Sequence, residues 1–283
     1  MDAIVLRVFL VLAAYVSGSV PIGVLVSRAS GGPDPRSIGS GRTGGTNALR
    51  ALGRKWAAVV VVGDLAKGAL PVLLARLVTG GDSVAEVACA FSAVVGSSRS
   101  IFLGFYGGGR GVGTGVGTML IIQPLAVIIA APVFFLTILI TRYVSLGSIL
   151  GSAAMFPAMI LIWAVASGAV PPAYLVWAAI GPALIWLAHA DNIHRLIHGT
   201  ERKFDLGMLG GRLRRGQHLA VAEPTAAAEI ADEHLVRPRI GRVGREHRRD
   251  VRVGEVLDVD VVADGRPVGR RVVVAEQCQR PIA

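Results

Sequence analysis

Three polar motifs interrupt the apolar stretches of the chain and contain residue types that bind phosphate. They cover residues 37–50 (SIGSGRTGGTNALR), 105–114 (FYGGGRGVGT) and 189–203 (HADNIHRLIHGTERK). Glycines allow successive backbone amides to converge on an anion, and arginine can bind phosphate oxygens through two parallel hydrogen bonds. These motifs together predict a site for a phosphorylated substrate.

The first motif has the glycine spacing of a dinucleotide-binding fingerprint at Gly39, Gly41 and Gly44. That fold requires a buried strand before the glycines, and the sequence Pro-Asp-Pro precedes them here. A P-loop is excluded because Gly45 occupies the position of its phosphate-binding lysine. Two interpretations stay open, an anion site that includes Arg50 and a flexible linker with stop-transfer charges.

Two further charged features lie beside or within apolar segments. Arg110 is the only cation of the glycine-rich second motif, which is typical of an anion site, of a mobile loop or of closely packed helices. Asp64 and Lys67 lie three residues apart in an apolar run. Charges inside a membrane span usually face each other or a polar cavity, so a structural ion pair and a direct role in catalysis both stay open.

The third motif has the spacing of a helix end with a polar face. On a helix, His189, Asn192 and Arg195 share one face. His194 and His198 have the spacing of a metal-binding pair, but no carboxylate or cysteine completes a metal site. We therefore expect no metal, and a basic helix end at a membrane interface is the alternative to a substrate site.

Composition identifies the chain as a membrane protein. Of its 283 residues 53% are hydrophobic and 17% are charged, against roughly 25% charged in soluble domains. The charged residues are concentrated after residue 189. The net charge of +10 therefore reflects basic loops of a membrane protein, and we expect no nucleic-acid partner.

Hydropathy predicts the membrane spans. A span requires about 20 mostly apolar residues, and the candidates are residues 4–27, 56–79, 84–104, 112–141, 144–165 and 172–189. The fourth candidate is too long, because 30 residues of helix reach about 45 Å across a core of about 30 Å. Gln123-Pro124 divides it into a short helix and a full span.

Loop charges predict the orientation. The loop 28–55 has six basic residues and one acid, so we place it in the cytoplasm and the N-terminus outside. Seven crossings then keep every basic loop, all three motifs and the C-terminus cytoplasmic. The predicted fold is an all-α polytopic membrane protein with about seven transmembrane helices, one of them short.

The tail after residue 205 has ordinary polar composition. We predict a short helix over 220–233 and a hairpin formed by residues 251–262 and 268–276. An isolated hairpin is only marginally stable. A small α/β module, a disordered tail and an unselected readthrough product stay open.

The three motifs resemble those of the bacterial acyl-phosphate:glycerol-3-phosphate acyltransferases. The first is similar to that family's GSGNxGATNxxR, the second to its GGKGVAT and the third to its HxxNIxRLxxGTExK. The sequences SGSVPIG and DLAKG also fit. Because the resemblance covers about residues 4–205, we expect a transmembrane domain over 1–205 and a cytoplasmic extension over 206–283.

The resemblance implies a reaction and a location. Members of that family transfer a fatty acyl group from acyl phosphate to the sn-1 hydroxyl of glycerol 3-phosphate, which gives lysophosphatidic acid for phospholipid synthesis. They are multi-pass proteins of the bacterial inner membrane and use no cofactor. Implied partners are the two substrates, membrane lipids and the soluble enzyme that produces acyl phosphate.

The resemblance also implies roles for individual residues. It assigns catalysis to Arg110, His189 and Asn192. It assigns substrate binding to Ser40, Thr46, Asn47, Arg50, Lys67, Gly108, Gly109, Arg195 and Glu201.

Five positions depart from the family pattern. Arg42 replaces an asparagine, Gly45 an alanine and Arg110 a lysine. Ser98 and Ile101 stand where the family has the histidine and proline of GHxxP. Besides an active enzyme, a catalytically degenerate paralogue that binds anions therefore stays open. A transporter is disfavoured, because the chain lacks paired repeat halves.

Overall fold

A computed structural model describes residues 2–166, 170–205, 207, 256–263 and 266–273. Over these residues the chain forms eleven α-helices and two strands. The helices are α1 (Ala3–Ser19), α2 (Ile22–Ser30), α3 (Gly45–Leu52), α4 (Arg54–Thr79), α5 (Ser83–Ser98), α6 (Val112–Ile122), α7 (Pro124–Thr141), α8 (Val144–Ala153), α9 (Met155–Val165), α10 (Pro172–Ala188) and α11 (Ala190–Ile197). Short 3₁₀ turns cover Pro35–Ser37 and Ile101–Leu103.

Several helices are long and apolar enough to cross a membrane. Among the described residues, four segments qualify alone: Arg54–Thr79, Ser83–Leu103, Pro124–Thr141 and Val144–Val165. Two bent pairs raise the number to six, α1 with α2 at 43° and α10 with α11 at 68°. The shorter apolar helix α6 is the seventh segment, which agrees with the predicted all-α architecture of about seven helices with one short.

The predicted break at Gln123-Pro124 is confirmed. Helix α6 ends at Ile122, and α7 begins at Pro124. Gln123 has φ −155° and ψ 88°, which is not helical. Proline disfavours helix at the residue before it and suits the first position of a new helix, so one dipeptide both ends α6 and starts α7.

Other apolar runs are interrupted where hydropathy predicts continuity. The run 4–27 breaks at Val20-Pro21, between α1 and α2. The run 144–165 is divided at Ala154, between α8 and α9. The run 172–189 ends in the 68° bend before α11. A hydropathy window averages over such breaks, because the residues that form them remain apolar.

Glycines allow two pairs of helices to pack in backbone contact. A Cβ atom on Gly68 of α4 or on Gly117 of α6 would overlap a backbone carbonyl of the facing helix. The same holds for Gly18 of α1 and Gly96 of α5. Small residues at helix contacts are typical of membrane proteins, because lipid tails leave little hydrophobic drive for association. These contacts fix α4 against α6 and α1 against α5.

The chain after α11 returns to the helices. The Phe204 amide donates a hydrogen bond of 2.6 Å to the Arg142 carbonyl. The Phe204 side chain is buried in a cluster with Val26, Ala48 and Val60. The segment that follows the last helix is therefore packed against α2, α3 and α4 as far as residue 204.

A polar network joins three helix ends away from the three motifs. The Glu86 carboxylate is only 1% exposed. It accepts hydrogen bonds of 2.7 to 3.1 Å from Arg76 and one of 2.8 Å from the Tyr174 hydroxyl. A buried charge is tolerated when it is paired and hydrogen-bonded, and this one links α4, α5 and α10.

The C-terminal region contains the predicted hairpin. Strands β1 (Val256–Ala263) and β2 (Arg266–Val273) pair antiparallel, with Val256 opposite Val273. The predicted helix over 220–233 lies outside the described residues. The chain divides into two compact units, Met1–Glu223 and Pro224–Ala283, and the domain boundary at residue 205 stays a prediction.

Two glycines of α6 give a matched test of the helix contacts. Gly117→Ala should destabilise the protein by about 1–3 kcal/mol, because the new methyl group would overlap the Leu65 carbonyl. Gly115→Ala should leave stability equal or higher, since its methyl group would lie 3.8 Å from Val94 and Ile185 and alanine favours helix. Thermal unfolding in detergent measures both, and equal melting temperatures would contradict the packing argument.

Candidate functional site

The three motifs meet at a polar cavity of about 260 Å³. Helices α3, α6, α8 and α11 and the loop before α3 contribute to its lining. Of the twelve predicted site residues, Gly108 and Lys67 do not line this cavity. Ten do: Ser40, Thr46, Asn47, Arg50, Gly109, Arg110, His189, Asn192, Arg195 and Glu201.

Three helices begin at this cavity. Their N-cap residues are Gly44 for α3, Gly111 for α6 and His189 for α11, and all three line the cavity. The first amides of a helix lack partners within the helix, and its N-terminus carries a partial positive charge. Convergence of three such ends favours an anion in the cavity.

Cationic side chains outnumber acids in the lining. The carboxylates are Asp64 and Glu201. Against them stand five arginines: Arg42, Arg50, Arg110, Arg195 and Arg202.

The arginines differ in how far they are neutralised. Arg110 donates to Asp191 at 2.9 Å, and its Nε is buried without a partner among the described residues. No ion pair to a described carboxylate is found for Arg42, Arg50 or Arg202. The described lining of the cavity therefore carries an excess of positive charge.

Burial does not remove this charge at neutral pH. Desolvation lowers the pKa of Arg50, and the nearby Arg202 lowers it further. Desolvation also lowers the pKa of Arg110, although Asp191 partly offsets the effect. An arginine pKa ordinarily lies far above neutral pH, so both guanidinium groups remain charged.

Glu201 connects the third motif to α8. Its carboxylate accepts hydrogen bonds from Ser145 at 2.8 Å, Asn192 at 2.7 Å and Arg195 at 2.8 Å. Burial raises the pKa of Glu201, but these hydrogen bonds together outweigh it and hold the pKa below its ordinary value. The carboxylate therefore stays ionised and orients both Asn192 and Arg195.

His189 and Asn192 offer hydrogen-bond acceptors at the cavity. His189 Nδ1 lies 2.8 Å from the Ile185 carbonyl. A carbonyl only accepts, so Nδ1 carries the hydrogen, and the neutral imidazole keeps a lone pair at Nε2. Asn192 gives its amide hydrogen to Glu201, and its buried Oδ1 has no partner among the described residues. These two acceptors suit a substrate hydroxyl.

Asn47 organises the loop that precedes α3. The two N–H groups of its Nδ2 are surrounded by the carbonyls of Pro35, Ile38 and Arg42, all within hydrogen-bond distance, and its Oδ1 accepts from the Ser40 amide. The side chain is 3% exposed. With its donors committed to the loop, Asn47 shapes the glycine-rich segment, and its expected contact with phosphate stays a prediction.

The charged pair of α4 lies behind the cavity. Lys67 Nζ is 2.8 Å from Asp64 and 3.2 Å from the Val20 carbonyl. Asp64 lines the cavity, whereas Lys67 does not. The structure therefore has the ion pair that the spacing permits, and Lys67 also joins α4 to the break between α1 and α2.

Gly108 has a packing role. A Cβ atom there would lie 2.7 Å from the Ser97 carbonyl and 2.9 Å from that of Ser98. Glycine thus lets the second motif approach the end of α5. At the two positions where the family has histidine and proline, the Ser98 hydroxyl donates to Val94 of its own helix, and Ile101 begins a 3₁₀ turn.

A second, apolar cavity of about 330 Å³ adjoins the polar one. The two cavities share five lining residues: Val61, Val112, Gly113, Phe134 and Ser148. Two adjoining cavities of these kinds suit a molecule with an anionic head and a hydrocarbon chain.

Some residues of the site escape sequence reasoning. Asp191, which pairs with Arg110 and with Arg195, has one available signal, its i,i+4 spacing to Arg195. Thr114 lines the cavity with a buried hydroxyl that has no partner among the described residues. Ser145 carries no signal, because 56 residues separate it from Glu201.

His194 of α11 and His198, which follows that helix, contact each other. The rings of His194 and His198 stack 4.1 Å apart. Within the part of the chain that the structure describes, no group of three or more histidine, cysteine or acidic residues could hold a metal ion.

Glu201→Gln tests the carboxylate that orients the third motif. The pKa of Glu201 is lower in the folded protein than in the unfolded chain, so the ionised carboxylate stabilises the fold. This contribution is complete above the ordinary glutamate pKa of about 4.3. It is lost as the pH falls through the lower pKa of the folded state. We expect the variant to be less stable at pH 7 and to lose less stability between pH 5 and 3. Melting temperature against pH measures this.

Asp34→Asn is the control, because Asp34 also has a lowered pKa but pairs with Arg36 outside the cavity. The control should leave the binding of phosphate at the cavity unchanged, and Glu201→Gln should weaken it. A Glu201→Gln stability profile parallel to that of the unmodified protein would refute the pKa argument.

Comparisons with known proteins agree with this geometry. Residues 8–199 match the family model described as glycerol-3-phosphate acyltransferase. A glycerol-3-phosphate acyltransferase of Rubrobacter xylanophilus is 41% identical over 206 residues, which are 73% of this chain and 98% of that protein. Glycerol-3-phosphate acyltransferase 3 of Dehalococcoides mccartyi is 40% identical over 206 residues, 69% of this chain and 94% of that protein.

Solved structures support the same family. The crystal structure of PlsY (YgiH), an integral membrane glycerol 3-phosphate acyltransferase, is 35% identical with a TM-score of 0.64 in its glycerol 3-phosphate form. The comparison covers 72% of this chain and 98% of that one. Its lysophosphatidic acid form gives the same values. The chain belongs to the glycerol-3-phosphate acyltransferase family and is a multi-pass integral membrane acyltransferase.

Proposed function

We propose that the protein transfers a fatty acyl group from acyl phosphate to the sn-1 hydroxyl of glycerol 3-phosphate and releases lysophosphatidic acid. One observation carries the proposal: an arginine-lined polar cavity lies beside an apolar cavity and shares five lining residues with it. Glycerol 3-phosphate fits the first, and the fatty chain of the donor fits the second. The glycerol 3-phosphate and lysophosphatidic acid forms of PlsY support this assignment.

The acyl phosphate lies across the junction of the cavities. Its phosphate contacts Arg110, whose Nε has no partner among the described residues, and the glycines of the second motif, including Gly109. Its carbonyl lies near Val112 and Gly113, which line both cavities. First-turn amides of α6 at this point stabilise the negative charge that develops on the carbonyl oxygen.

Glycerol 3-phosphate occupies the remainder of the polar cavity. Arg50 and Arg202 bind its phosphate, because neither pairs with a described carboxylate. Ser40 and Thr46 add hydroxyl donors from the first motif. His189 Nε2 and Asn192 Oδ1 accept hydrogen bonds from the glycerol hydroxyls and orient the sn-1 oxygen towards the carbonyl.

In this reaction the protein forms no covalent bond with either substrate. The sn-1 oxygen bonds to the acyl carbon, the bond from that carbon to the phosphate oxygen breaks, and inorganic phosphate leaves with the hydroxyl proton. Because acyl phosphate is already activated, no acyl-enzyme intermediate is required. Orientation of the two substrates and stabilisation of the oxyanion supply the catalysis.

Other predicted site residues act through these groups. Arg195 and Glu201 hold Asn192 in place, and Asn47 holds the loop of the first motif. Lys67 neutralises Asp64 at the wall of the cavity.

We place the cavity at the cytoplasmic side of a bacterial inner membrane, with the N-terminus outside. The basic loop 28–55 supports this orientation. Glycerol 3-phosphate is water-soluble and reaches the site from that side. The soluble enzyme that produces acyl phosphate supplies the donor there.

Arg50→Ala tests the phosphate site. In an assay of purified protein with acyl phosphate and glycerol 3-phosphate, kcat/KM for glycerol 3-phosphate should fall about 100-fold, since two charged hydrogen bonds contribute about 3 kcal/mol together. Arg28→Ala is the control, because Arg28 lies outside the cavity lining, and it should match the unmodified protein. Equal activity of both variants, or no product beside a working positive-control enzyme, would overturn the assignment.

A chain that ends at Gly210 tests the proposed domain division. The family match ends at residue 199, and Phe204 is the last residue of the second buried cluster. The shortened protein should keep the melting temperature and kcat/KM of the full chain. A shortened protein that melts normally but fails to make lysophosphatidic acid would assign the extension a role in catalysis.

A further inference from the structure

The apolar cavity is a slot that runs away from the reacting groups along two helices. On α6 its lining extends from Val112, at the junction, to Met119. Seven helical residues correspond to about 10 Å. On α10 it extends from Ile185 to Trp177, or about 12 Å. The two helices give consistent depths for the slot.

Large buried side chains close the far end. Met119 and Trp177 are 5% and 2% exposed, and both belong to the main hydrophobic cluster. One turn further along the same helices, Ile122 and Tyr174 do not line the cavity. Tyr174 instead binds the buried carboxylate of Glu86. An acyl chain that passed Trp177 would therefore meet a polar network.

Glycines keep the slot open along its length. A Cβ atom on Gly115, one turn from the junction, would lie 3.8 Å from Val94 and Ile185 across the slot. A Cβ atom on Gly181 would lie 3.5 Å from the Trp177 ring. Each position tolerates a methyl group at contact distance, so larger side chains there would occupy the slot at different depths.

We propose that Met119 and Trp177 form a floor that sets the length of the acyl chain this enzyme transfers, and that Gly115 and Gly181 keep the path to that floor open. The inference rests on the proposed function, because it assumes that the chain of the donor fills the apolar cavity. Each methylene that enters the slot raises kcat/KM about fourfold. Once the terminal methyl group of the acyl chain reaches the floor, further methylenes leave kcat/KM unchanged or reduce it.

The test is a length profile. Acyl phosphates of increasing chain length compete in one mixture with glycerol 3-phosphate, and mass spectrometry of the lysophosphatidic acids gives relative kcat/KM. The unmodified protein should show a cut-off length. Met119→Ala deepens the slot, so that almost two more methylenes of the acyl chain can enter it. At about fourfold per methylene, the ratio of longer to shorter products should rise about tenfold.

Filling variants shift the cut-off in the opposite direction. Gly181→Leu should shorten it, and Gly115→Val should shorten it further, because that position lies nearer the junction. The controls are Leu120→Ala and Ala179→Leu, which make changes of similar size at neighbouring positions outside the slot. Both controls should leave the profile unchanged.

Four results would decide against the proposal. An unmodified protein without a cut-off would mean that the chain leaves the slot sideways into lipid. Floor and filling variants with the profile of the controls would overturn the assignment of Met119 and Trp177. Equal cut-off lengths for Gly115→Val and Gly181→Leu, which lie at different depths in the slot, would also overturn that assignment. Absence of acyl transfer by every protein, including the unmodified one, would instead overturn the proposed function and this inference with it.

Discussion

Repulsion among the arginines of the polar cavity is the constraint on which the rest of the site depends. Five guanidinium groups and three helix N-termini share a cavity of about 260 Å³. Such a cluster is stable only where fixed acids hold some of the charges in place. Asp191 bridges Arg110 and Arg195, and Glu201 holds Arg195 as well. The remaining positive charge is the part of the site that we propose binds the substrate phosphates.

Rigid packing keeps these charges apart and at defined positions. Glycines bring α4 into backbone contact with α6, which sets the place where α6 begins. The Asn47 amide ties the loop of the first motif to α3. The charged groups are therefore held in position before any substrate binds. Such preorganisation suits a reaction whose acyl donor is already activated.

Sequence patterns predict the parts of this structure that have local causes. Proline chemistry predicts the break between α6 and α7, because the effect of Pro124 extends only to its neighbours. The third motif places His189, Asn192 and Glu201 close together in the chain, and all three line one cavity. These two signals lie within a few residues of the feature that they predict, whereas the seven crossings are predicted from the basic loops of the whole chain.

What the sequence leaves unpredicted depends on contacts between distant segments. The contact of Ser145 with Glu201 and the joining of two cavities at Val112 arise only when helices pack. A hydropathy window misses the breaks at Val20 and Ala154, although Pro21 and Pro157 stand close to them and proline interrupts helical hydrogen bonding. The hydrogen bonds of Asn47 to the loop before α3 are unpredicted too, since a motif identifies an asparagine without saying which groups its amide binds.

The last part of the family region to be synthesised completes the cavity. Segments near residues 40, 110 and 145 are made first, but the wall formed by α11, Glu201 and the turn to Phe204 comes from the end of that region. Because synthesis proceeds from the N-terminus, a nascent chain holds its first arginines without Glu201 until the last bent helix pair is in place. The cavity is thus complete only when this last segment has been made, and a chain interrupted before it keeps Arg50 and Arg110 without the Glu201 carboxylate.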